Sequence, residues 1–333
     1  MRTQIFGSTQ GFSKAGVALV LAGTLLSSCD QSSYMAGIDG SGARVFAEGP
    51  IEAFGSIVVG GEHYELSRAE IRINGELATE SDLALGQVVT VRAQVDANGI
   101  ALADTVDFDA NLVGPVQSVD VQNGVVIVLE QRILVDSGTE LDLGSGAGLD
   151  SLAAGDPIEI SGLAGSGGLI DATRISRASP TAGLRIIGRV GNLDIATFSF
   201  TIGNLVVDYS NAGLIEGFPG GSPADGDEVL VIGRSLNSSG VLVTESLALI
   251  NDGMSENSGD EAEVEGLITR FISPIDFDVA GNRSTTTAQT AYEGGTQSDL
   301  QVNVKIQIEG EFDAQGTIVA SKIEVKDGGA VQQ

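Results

Sequence analysis

Few side chains in this sequence could carry out chemistry. Among 333 residues there is one histidine, His63, one cysteine, Cys29, and no tryptophan. Structural zinc needs four ligands, usually Cys and His, and a serine or cysteine nucleophile needs a nearby base. His63 follows a turn in a strand-like stretch, so we expect an exposed strand residue. The sequence also lacks a P-loop or dinucleotide fingerprint in a plausible context. We therefore predict no enzyme activity and no cofactor.

Acidic loops are the better candidates for a ligand site. Calcium takes six to eight oxygen ligands, which clustered carboxylates can supply. The candidate metal ligands are Asp225, Asp227 and Glu228, and further acidic groups are Asp107 with Asp109 and the stretch from Asn251 to Glu263. None follows the spacing of the twelve-residue calcium loop, so calcium binding stands as an alternative to plain solvated loop charge.

The first 28 residues predict export. Arg2 and Lys14 precede an apolar stretch, Ala15–Leu26, which has signal-peptide length and is short for a membrane span. The stretch ends at Leu26-Ser27-Ser28-Cys29, which resembles a bacterial lipobox. The resemblance implies cleavage before Cys29, diacylation of its sulfur, and acylation, for example with palmitate, of its new amino group. Two or more acyl chains anchor a protein stably, whereas one does so only marginally. An ordinary signal peptide with a chance cysteine is the alternative.

The charge of the chain bears on its partners. The formal charge is −28, from 45 acidic and 17 basic residues. Such a surface repels nucleic acid and an anionic membrane surface. We expect no nucleic-acid partner, and we expect membrane attachment through Cys29 alone, in the bacterial cell envelope and facing the periplasm or the exterior. Residues after Cys29 are polar and Gly-rich, which predicts a short tether.

One hairpin recurs four times and organises the rest of the chain. In each copy an alternating strand leads through a Gly-containing turn into a second strand. Past the turn glycine the fourth residue is small and the seventh is apolar. That spacing breaks the two-residue alternation of a strand and predicts a β-bulge. The small residues are Ala103, Ala172, Thr244 and Ala320, and the apolar ones are Val106, Ile175, Leu247 and Ile323.

Two further motifs accompany the hairpin. Each copy opens with glycine, any residue, and then Val or Ile, at Gly49, Gly114, Gly188 and Gly266. Before the closing hairpin, Asp82–Gly86 and Asp150–Gly155 each predict one helical turn. In each turn the aspartate caps the exposed N–H groups at its start, a leucine packs into the core, and the glycine ends the turn in the left-handed conformation. The third and fourth copies depart from this pattern, at Pro223–Gly226 and Ser298–Leu300.

Each copy therefore holds several short strands and one helical turn. An open sheet that small exposes its edges, which closure into a barrel removes. The predicted fold is all-β, with four tandem small OB-like β-barrel domains in a row, each with its own core, after a lipoprotein signal peptide. The predicted segments are a signal peptide at 1–28, lipidated Cys29 and tether at 29–47, barrels at 48–110, 111–179, 183–250 and 263–327, an acidic linker at 251–262, and a tail at 328–333.

These motifs together resemble the bacterial family of domain of unknown function 5666. The resemblance spans about 49–327, strongest in the first copy and weakest in the fourth, and it is carried by Gly37–Gly42, Gly49–Val59, Leu83–Val91 and the closing hairpins. It implies a fold and a cell-envelope setting, and it supplies no activity and no catalytic residue. We therefore predict a membrane-anchored envelope lipoprotein with a non-enzymatic protein-interaction or structural role. A glycan- or calcium-binding envelope module is the alternative.

Overall fold

The computed structural model describes residues 42–250 and 257–326. The predicted signal peptide, the predicted lipidation site Cys29 and most of the predicted tether lie outside these ranges, as do residues 251–256 and the tail. Within the described ranges the regular structure consists of β-strands and four short 3₁₀ turns. No helix in these ranges is long and apolar enough to cross a membrane. The all-β prediction is therefore confirmed.

The strands form four successive barrels, which we number in chain order. Barrel 1 consists of β1 (Arg44–Ala53), β2 (Ile57–Val59), β3 (Glu62–Glu65), β4 (Glu70–Ile73), β5 (Glu76–Ala78), β6 (Val88–Val95) and β7 (Ala101–Phe108). Barrel 2 consists of β8 (Leu112–Asp120), β9 (Val125–Val128), β10 (Gln131–Leu134), β11 (Glu140–Asp142), β12 (Pro157–Ala164) and β13 (Leu169–Arg177).

Barrels 3 and 4 follow with the same order of elements. Barrel 3 consists of β14 (Leu184–Arg189), β15 (Gly191–Asp194), β16 (Ser199–Ile202), β17 (Leu205–Asp208), β18 (Leu214–Glu216), β19 (Glu228–Leu236) and β20 (Leu242–Leu249). Barrel 4 consists of β21 (Glu261–Ser273), β22 (Asp276–Val279), β23 (Asn282–Thr285), β24 (Ala291–Glu293), β25 (Lys305–Phe312) and β26 (Ile318–Val325).

Each barrel closes through the same ring of hydrogen-bonded strands. In barrel 1 the ring runs β1-β2-β3-β7-β6 and returns to β1, with β3 parallel to β7 and the other pairs antiparallel. Barrels 2 and 4 repeat this ring, and barrel 3 does so with its first strand split into β14 and β15. Five-stranded rings of this kind are OB-like, as predicted.

The predicted bulge is present in every closing hairpin. The register shifts where small residues face each other: Ala93 opposite Ala103, Gly162 opposite Ala172, Gly233 opposite Thr244, and Gly310 opposite Ala320. A side chain added at Gly162 or Gly310 would collide with the backbone of the opposite strand. The small residues therefore allow a close approach where the ladder is interrupted.

The opening glycine of each copy has a packing reason. A Cβ placed on Gly188 would overlap the Ile202 side chain. A Cβ placed on Gly266 would lie 2.7 Å from the Ala280 Cβ. Gly49 and Gly114 face Val59 and Leu129 in the same way. The first strand thus crosses the end of the second without a side chain between them, which lets a small barrel close.

The predicted single turns are 3₁₀ turns, and they begin slightly earlier than expected. In barrel 1 the turn is Glu80–Asp82, capped by Thr79, and it is followed by buried Leu83 and by Gly86 at φ +78°. Asp82 is the third residue of the turn and not its first, and its side chain accepts a hydrogen bond from the Thr79 backbone to complete a capping box. Barrel 2 keeps the leucine and the left-handed glycine.

Barrel 4 retains more of this motif than the sequence predicts. Its turn is Gln297–Asp299, with a capping box from Thr296, and Leu300 is buried behind it. Asn303 takes the left-handed exit at φ 66°, where the other barrels have glycine. Asparagine tolerates that conformation better than most residues, so the loss of glycine does not remove the turn. In barrel 3 the buried residue is Pro223.

The barrels do not lie in a row. One sheet joins barrels 1 and 4 through β1 and β21, and a second joins barrels 2 and 3 through β8 and β14. Barrels 1 and 4 have separate apolar clusters, but barrels 2 and 3 share one. The expectation of four separate cores is therefore wrong for that pair, since β8 and β14 pair directly and carry apolar contacts from one barrel into the next.

Two segment boundaries also differ from the prediction. Strand β1 begins at Arg44, inside the predicted tether, and β21 begins at Glu261, inside the predicted acidic linker. Both extensions are explained by pairing, because the early residues of β1 lie between β6 and β21. Local composition cannot reveal a partner that is far away in the sequence.

Candidate functional site

The histidine and the acidic residues singled out in the sequence do not form a metal site in the part of the chain that the structure describes. His63 is exposed on β3, where its Nδ1 lies 3.0 Å from the Ser56 Oγ. Asp225 accepts a hydrogen bond from the Leu193 amide and Asp227 from the Ala224 amide. In the part of the chain that the structure describes, no three His, Cys, Asp or Glu side chains are grouped to hold a metal ion. The calcium candidates Asp225, Asp227 and Glu228 are therefore not brought together into such a group.

The joint between barrels 1 and 4, the 1–4 joint, is a parallel ladder. Residues Val45 to Glu48 of β1 pair with Glu261 to Val264 of β21. Phe46 leaves its own barrel and enters the core of barrel 4, where its ring meets the Phe312 ring edge-on at 5.7 Å. The Arg92 guanidinium covers Phe46 at 5.4 Å from the ring centroid. Strand β1 therefore serves as a wall of two barrels.

A buried carboxylate lies in the 1–4 joint. Glu263 is 8% exposed, and its Oε1 accepts a hydrogen bond from the Gln307 Nε2 at 2.5 Å. The same Nε2 donates to the Gly60 carbonyl of barrel 1 at 2.9 Å. Burial, followed by repulsion from Glu62 and Glu309, raises the pKa of Glu263 from 4.5 to about 8. The carboxyl group is thus mainly protonated at neutral pH.

Other carboxylates at the same joint shift in the same direction. Burial raises the pKa of Glu52, of Glu62 and of Glu261, and a neighbouring carboxylate adds to the rise in each case. Lys322 forms an ion pair with Glu309 at 3.0 Å and so offsets part of this charge. The 1–4 joint therefore combines a backbone ladder with an excess of acidic groups.

The joint between barrels 2 and 3, the 2–3 joint, is built differently. The ladder has two residue pairs, Leu112 with Ile186 and Val113 with Arg185. Leu112 and Ile186 are fully buried in the shared apolar cluster. Arg185, which is 9% exposed, donates to the Ala110 carbonyl at 3.1 Å and pairs with Asp109.

Contacts at three further junctions bring the four barrels together around a centre. Between barrels 1 and 2, the Thr173 hydroxyl donates to the Gly86 carbonyl at 2.5 Å. Between barrels 2 and 4, the Ser166 amide donates to the Asn303 Oδ1 at 2.8 Å. Leu163, Leu169 and Leu267 form a small apolar cluster at the same junction. Between barrels 3 and 4, Arg189 reaches Gly281.

These contacts surround an open cavity of about 610 Å³ that is lined by all four barrels, the central cavity. Its walls include the hairpin turn Gly162–Ile170 of barrel 2 and polar side chains from each barrel. The charged groups among them are Glu48, Arg92, Asp107, Asp109, Arg189 and Glu228. A volume of 300–1,000 Å³ is common for small-molecule sites, so the central cavity is the candidate functional site.

Charged groups of the central cavity have partners, although not all of these partners line it. Glu48 accepts a hydrogen bond from Asn282 at 2.9 Å, and Asp109 pairs with Arg185. The side-chain ends of Arg189 and Glu228 lie against the same glycine, Gly281. Burial raises the pKa of Asp107, and Arg92 opposes that rise.

Three amide side chains fix the geometry of this cavity. Asn111 accepts from the Gly162 amide at 2.7 Å, and the Gln131 Nε2 donates to the Ile202 carbonyl at 3.0 Å. Asn282 reaches Glu48 from barrel 4 to barrel 1, as described above. Sequence reasoning missed these residues because they are separated by up to 234 positions. The available signals were three of the acidic residues noted as calcium candidates, Asp107, Asp109 and Glu228, since all three line the cavity.

Comparison with known proteins identifies the repeated unit. Three segments, residues 48–107, 113–176 and 265–324, match the family described as "Domain of unknown function (DUF5666)", and they cover more than half of the chain. The fourth copy, expected to be the weakest, is matched, whereas no match falls on barrel 3. No curated protein matches the chain.

Solved structures add little. A structure titled "drosophila Unr CSD456" is similar with 12% sequence identity and a TM-score of 0.19, over 64% of this chain and 98% of that chain. At this TM-score the likeness carries no argument. The three segment matches do, and they agree with three of the four barrels in position. The chain therefore belongs to the DUF5666 family, with tandem copies of its domain.

Proposed function

We propose that this chain is a lipid-anchored protein of the bacterial cell envelope and that its barrels act as a non-enzymatic interaction or structural module. One observation carries the interaction role. In all four barrels the turn between the first two strands exposes large apolar side chains. These are Phe54 in barrel 1, Val121 in barrel 2, Ile195 and Phe198 in barrel 3, and Ile272 and Ile275 in barrel 4.

The position of these side chains supports binding. Single exposed apolar residues are common on protein surfaces, but exposed groups that recur at one place indicate contact with a partner. The loop between the first two strands is one of the loops with which OB barrels bind ligands. That last point is an analogy between folds. The observation itself is the fourfold recurrence of exposed apolar hairpin tips.

Barrel 4 offers the most exposed tip. Ile272 and Ile275 are each 69% exposed and flank Ser273 and Pro274. Proline restricts the backbone conformations that the tip can adopt, and this lowers the conformational entropy lost on binding. We expect this tip to contact another envelope protein, because the acidic surface of the chain disfavours nucleic acid.

Crosslinking in intact cells tests the interaction role. The double substitution Ile272→Ser with Ile275→Ser removes the apolar tip, and Leu77→Ser, at a residue 70% exposed on β5, is the matched control. We expect one dominant envelope protein to be crosslinked to the wild type and to the control, and to be lost from the double variant. Equal recovery from all three, or no protein above background, would overturn the interaction role.

The anchor is supported by the leader and by the position of Cys29, and it has its own test. Cells that express the wild type or Cys29→Ala are labelled with radioactive palmitate and then fractionated. We expect label and membrane association in the wild type and neither in the variant. A wild-type protein that carries no label would remove the anchor from the proposal without affecting the interaction role.

A further inference from the structure

We propose that the central cavity binds a small neutral saccharide. This goes beyond the interaction role, because it concerns the inner junction of the barrels and not their exposed tips. All four barrels contribute to the wall of this cavity of about 610 Å³. A space of this size accommodates a small molecule, and it exists only where the four barrels meet.

The charges of the wall decide the charge of the ligand. Glu48 is hydrogen-bonded to Asn282, Asp109 is paired with Arg185, and Arg92 covers Phe46 beside Asp107. A charged ligand would enter a partly desolvated site in which the opposite charges are already engaged, and its own desolvation would be poorly compensated. A neutral ligand avoids that cost. The engaged charges of the wall therefore favour a neutral ligand.

The polar groups of the wall decide the chemistry of the ligand. A carboxylate can accept about four hydrogen bonds, and an amide has two donors and two lone pairs. Asn282 and Glu48, which are hydrogen-bonded to each other, can therefore form further hydrogen bonds with a ligand. Thr90 and Thr269 add hydroxyl groups. A molecule with many hydroxyl groups, each a donor and an acceptor, matches such a surface.

The wall is also formed before any ligand arrives. Asn111 is fixed to the Gly162 amide, Gln131 to the Ile202 carbonyl, and Asn303 to the Ser166 amide. Each bond connects segments that are far apart in the chain and holds the groups around the cavity in place. Preorganised polar groups lose little entropy when a ligand binds. The turn Gly165–Gly168 also brings backbone polar groups close, because glycine adds no side chain there.

A blocking substitution tests the proposal in the full-length mature chain. Ser166 is exposed and lines the central cavity in the closing-hairpin turn of barrel 2. Ser166→Trp fills part of the space, and Ser238→Trp, in the corresponding turn of barrel 3 and away from the cavity, is the matched control. Isothermal titration calorimetry is performed with maltose, cellobiose, trehalose and N-acetylglucosamine, and with glucosamine and glucuronate as charged comparators.

We expect at least one neutral sugar to bind the wild type and Ser238→Trp equally, and to bind Ser166→Trp at least roughly tenfold more weakly. We expect the charged comparators not to bind. The proposal is overturned if no neutral sugar binds the wild type at millimolar concentration. It is also overturned if Ser166→Trp binds as the wild type does, or if a charged comparator binds best. Circular dichroism confirms that both variants are folded before the titrations are interpreted.

Discussion

The two joints between paired barrels use opposite physical means. The 1–4 joint has four paired residues on each strand, one aromatic plug, and a buried carboxyl group among other acidic groups. The 2–3 joint has two residue pairs, but it lies within a continuous apolar core and its buried arginine has an acidic partner. Burial of apolar surface does not depend on pH, whereas burial of a carboxyl group does. The 1–4 joint, although it has the longer ladder, is therefore the joint that a rise in pH can weaken.

The largest expected effect is the pH dependence of the 1–4 joint. Because the pKa of Glu263 is raised from 4.5 to about 8, the folded state keeps a proton that the unfolded state has lost. The contribution of the protonated Glu263 carboxyl group to the free energy of unfolding is fully present below pH 4.5 and is lost as the pH rises through 8. The difference between the two pKa values corresponds to at most roughly 5 kcal/mol. We expect Glu263→Gln to remove most of this pH dependence.

Hydrogen exchange of β1 and β21 measures this effect between pH 5 and pH 9, after correction for the intrinsic exchange rate. The matched control is Glu216→Gln, which changes an exposed carboxylate on β18. Protection in the wild type and in the control should fall as the pH rises, whereas protection in Glu263→Gln should fall less steeply, because only Glu52, Glu62 and Glu261 then titrate with a raised pKa. Equal slopes in all three proteins would show that Glu263 is not the titrating group.

The next effect concerns the apolar plug of the 1–4 joint. Phe46→Ala removes the ring that packs on Phe312 and supports Arg92, and we expect a loss of about 3–5 kcal/mol in the free energy of unfolding. Phe54→Ala, at the exposed tip between β1 and β2, should change the free energy of unfolding only slightly. Urea unfolding measures both. A loss below about 1 kcal/mol for Phe46→Ala would mean that β1 does not contribute to the core of barrel 4.

A smaller effect tests the 2–3 joint. Arg185→Met removes the donor to the Ala110 carbonyl and the partner of Asp109, and we expect a loss of about 2 kcal/mol in the free energy of unfolding. The effect is limited because the Asp109 side chain is half exposed and can be hydrated. Arg234→Met breaks an exposed pair with Glu245 and should cost less than about 1 kcal/mol. Urea unfolding should show the larger loss for Arg185→Met, and the reverse order would mean that Arg185 does not stabilise the 2–3 joint.

The smallest effect concerns the contact between barrels 2 and 4. Asn303→Gly keeps the left-handed backbone but loses the hydrogen bond from the Ser166 amide, at a cost of about 1 kcal/mol. Asn303→Ala loses the same bond and also strains the backbone, so it should cost about 1 kcal/mol more. Urea unfolding of the two variants checks the ranking. If alanine were tolerated as well as glycine, the left-handed conformation would not matter at this position.

Much of the barrel could be predicted from the sequence because its signals are local. The small residue four positions after the turn glycine predicted the bulge, and the Leu83 and Gly86 pattern predicted the plug and the left-handed exit. The opening glycine was visible as a motif, although its reason, contact with the end of the second strand, needed the structure. The 1–4 joint could not be predicted, since residues 44–47 resemble a tether and Glu261 lies in a stretch that resembles an acidic linker. A buried glutamate contradicts the usual relation between charge and exposure.

The four barrels form one closed body and not a row, because β1 pairs with β21 and β8 pairs with β14. Small-angle X-ray scattering of residues 30–333, prepared as a monomer without the anchor, tests this arrangement most directly. A compact body of this length has a radius of gyration of about 19 Å, whereas four barrels in a row would give about 30 Å. We predict a value close to 20 Å that does not change with ionic strength. A value near 30 Å would contradict the 1–4 joint and, with it, the central cavity.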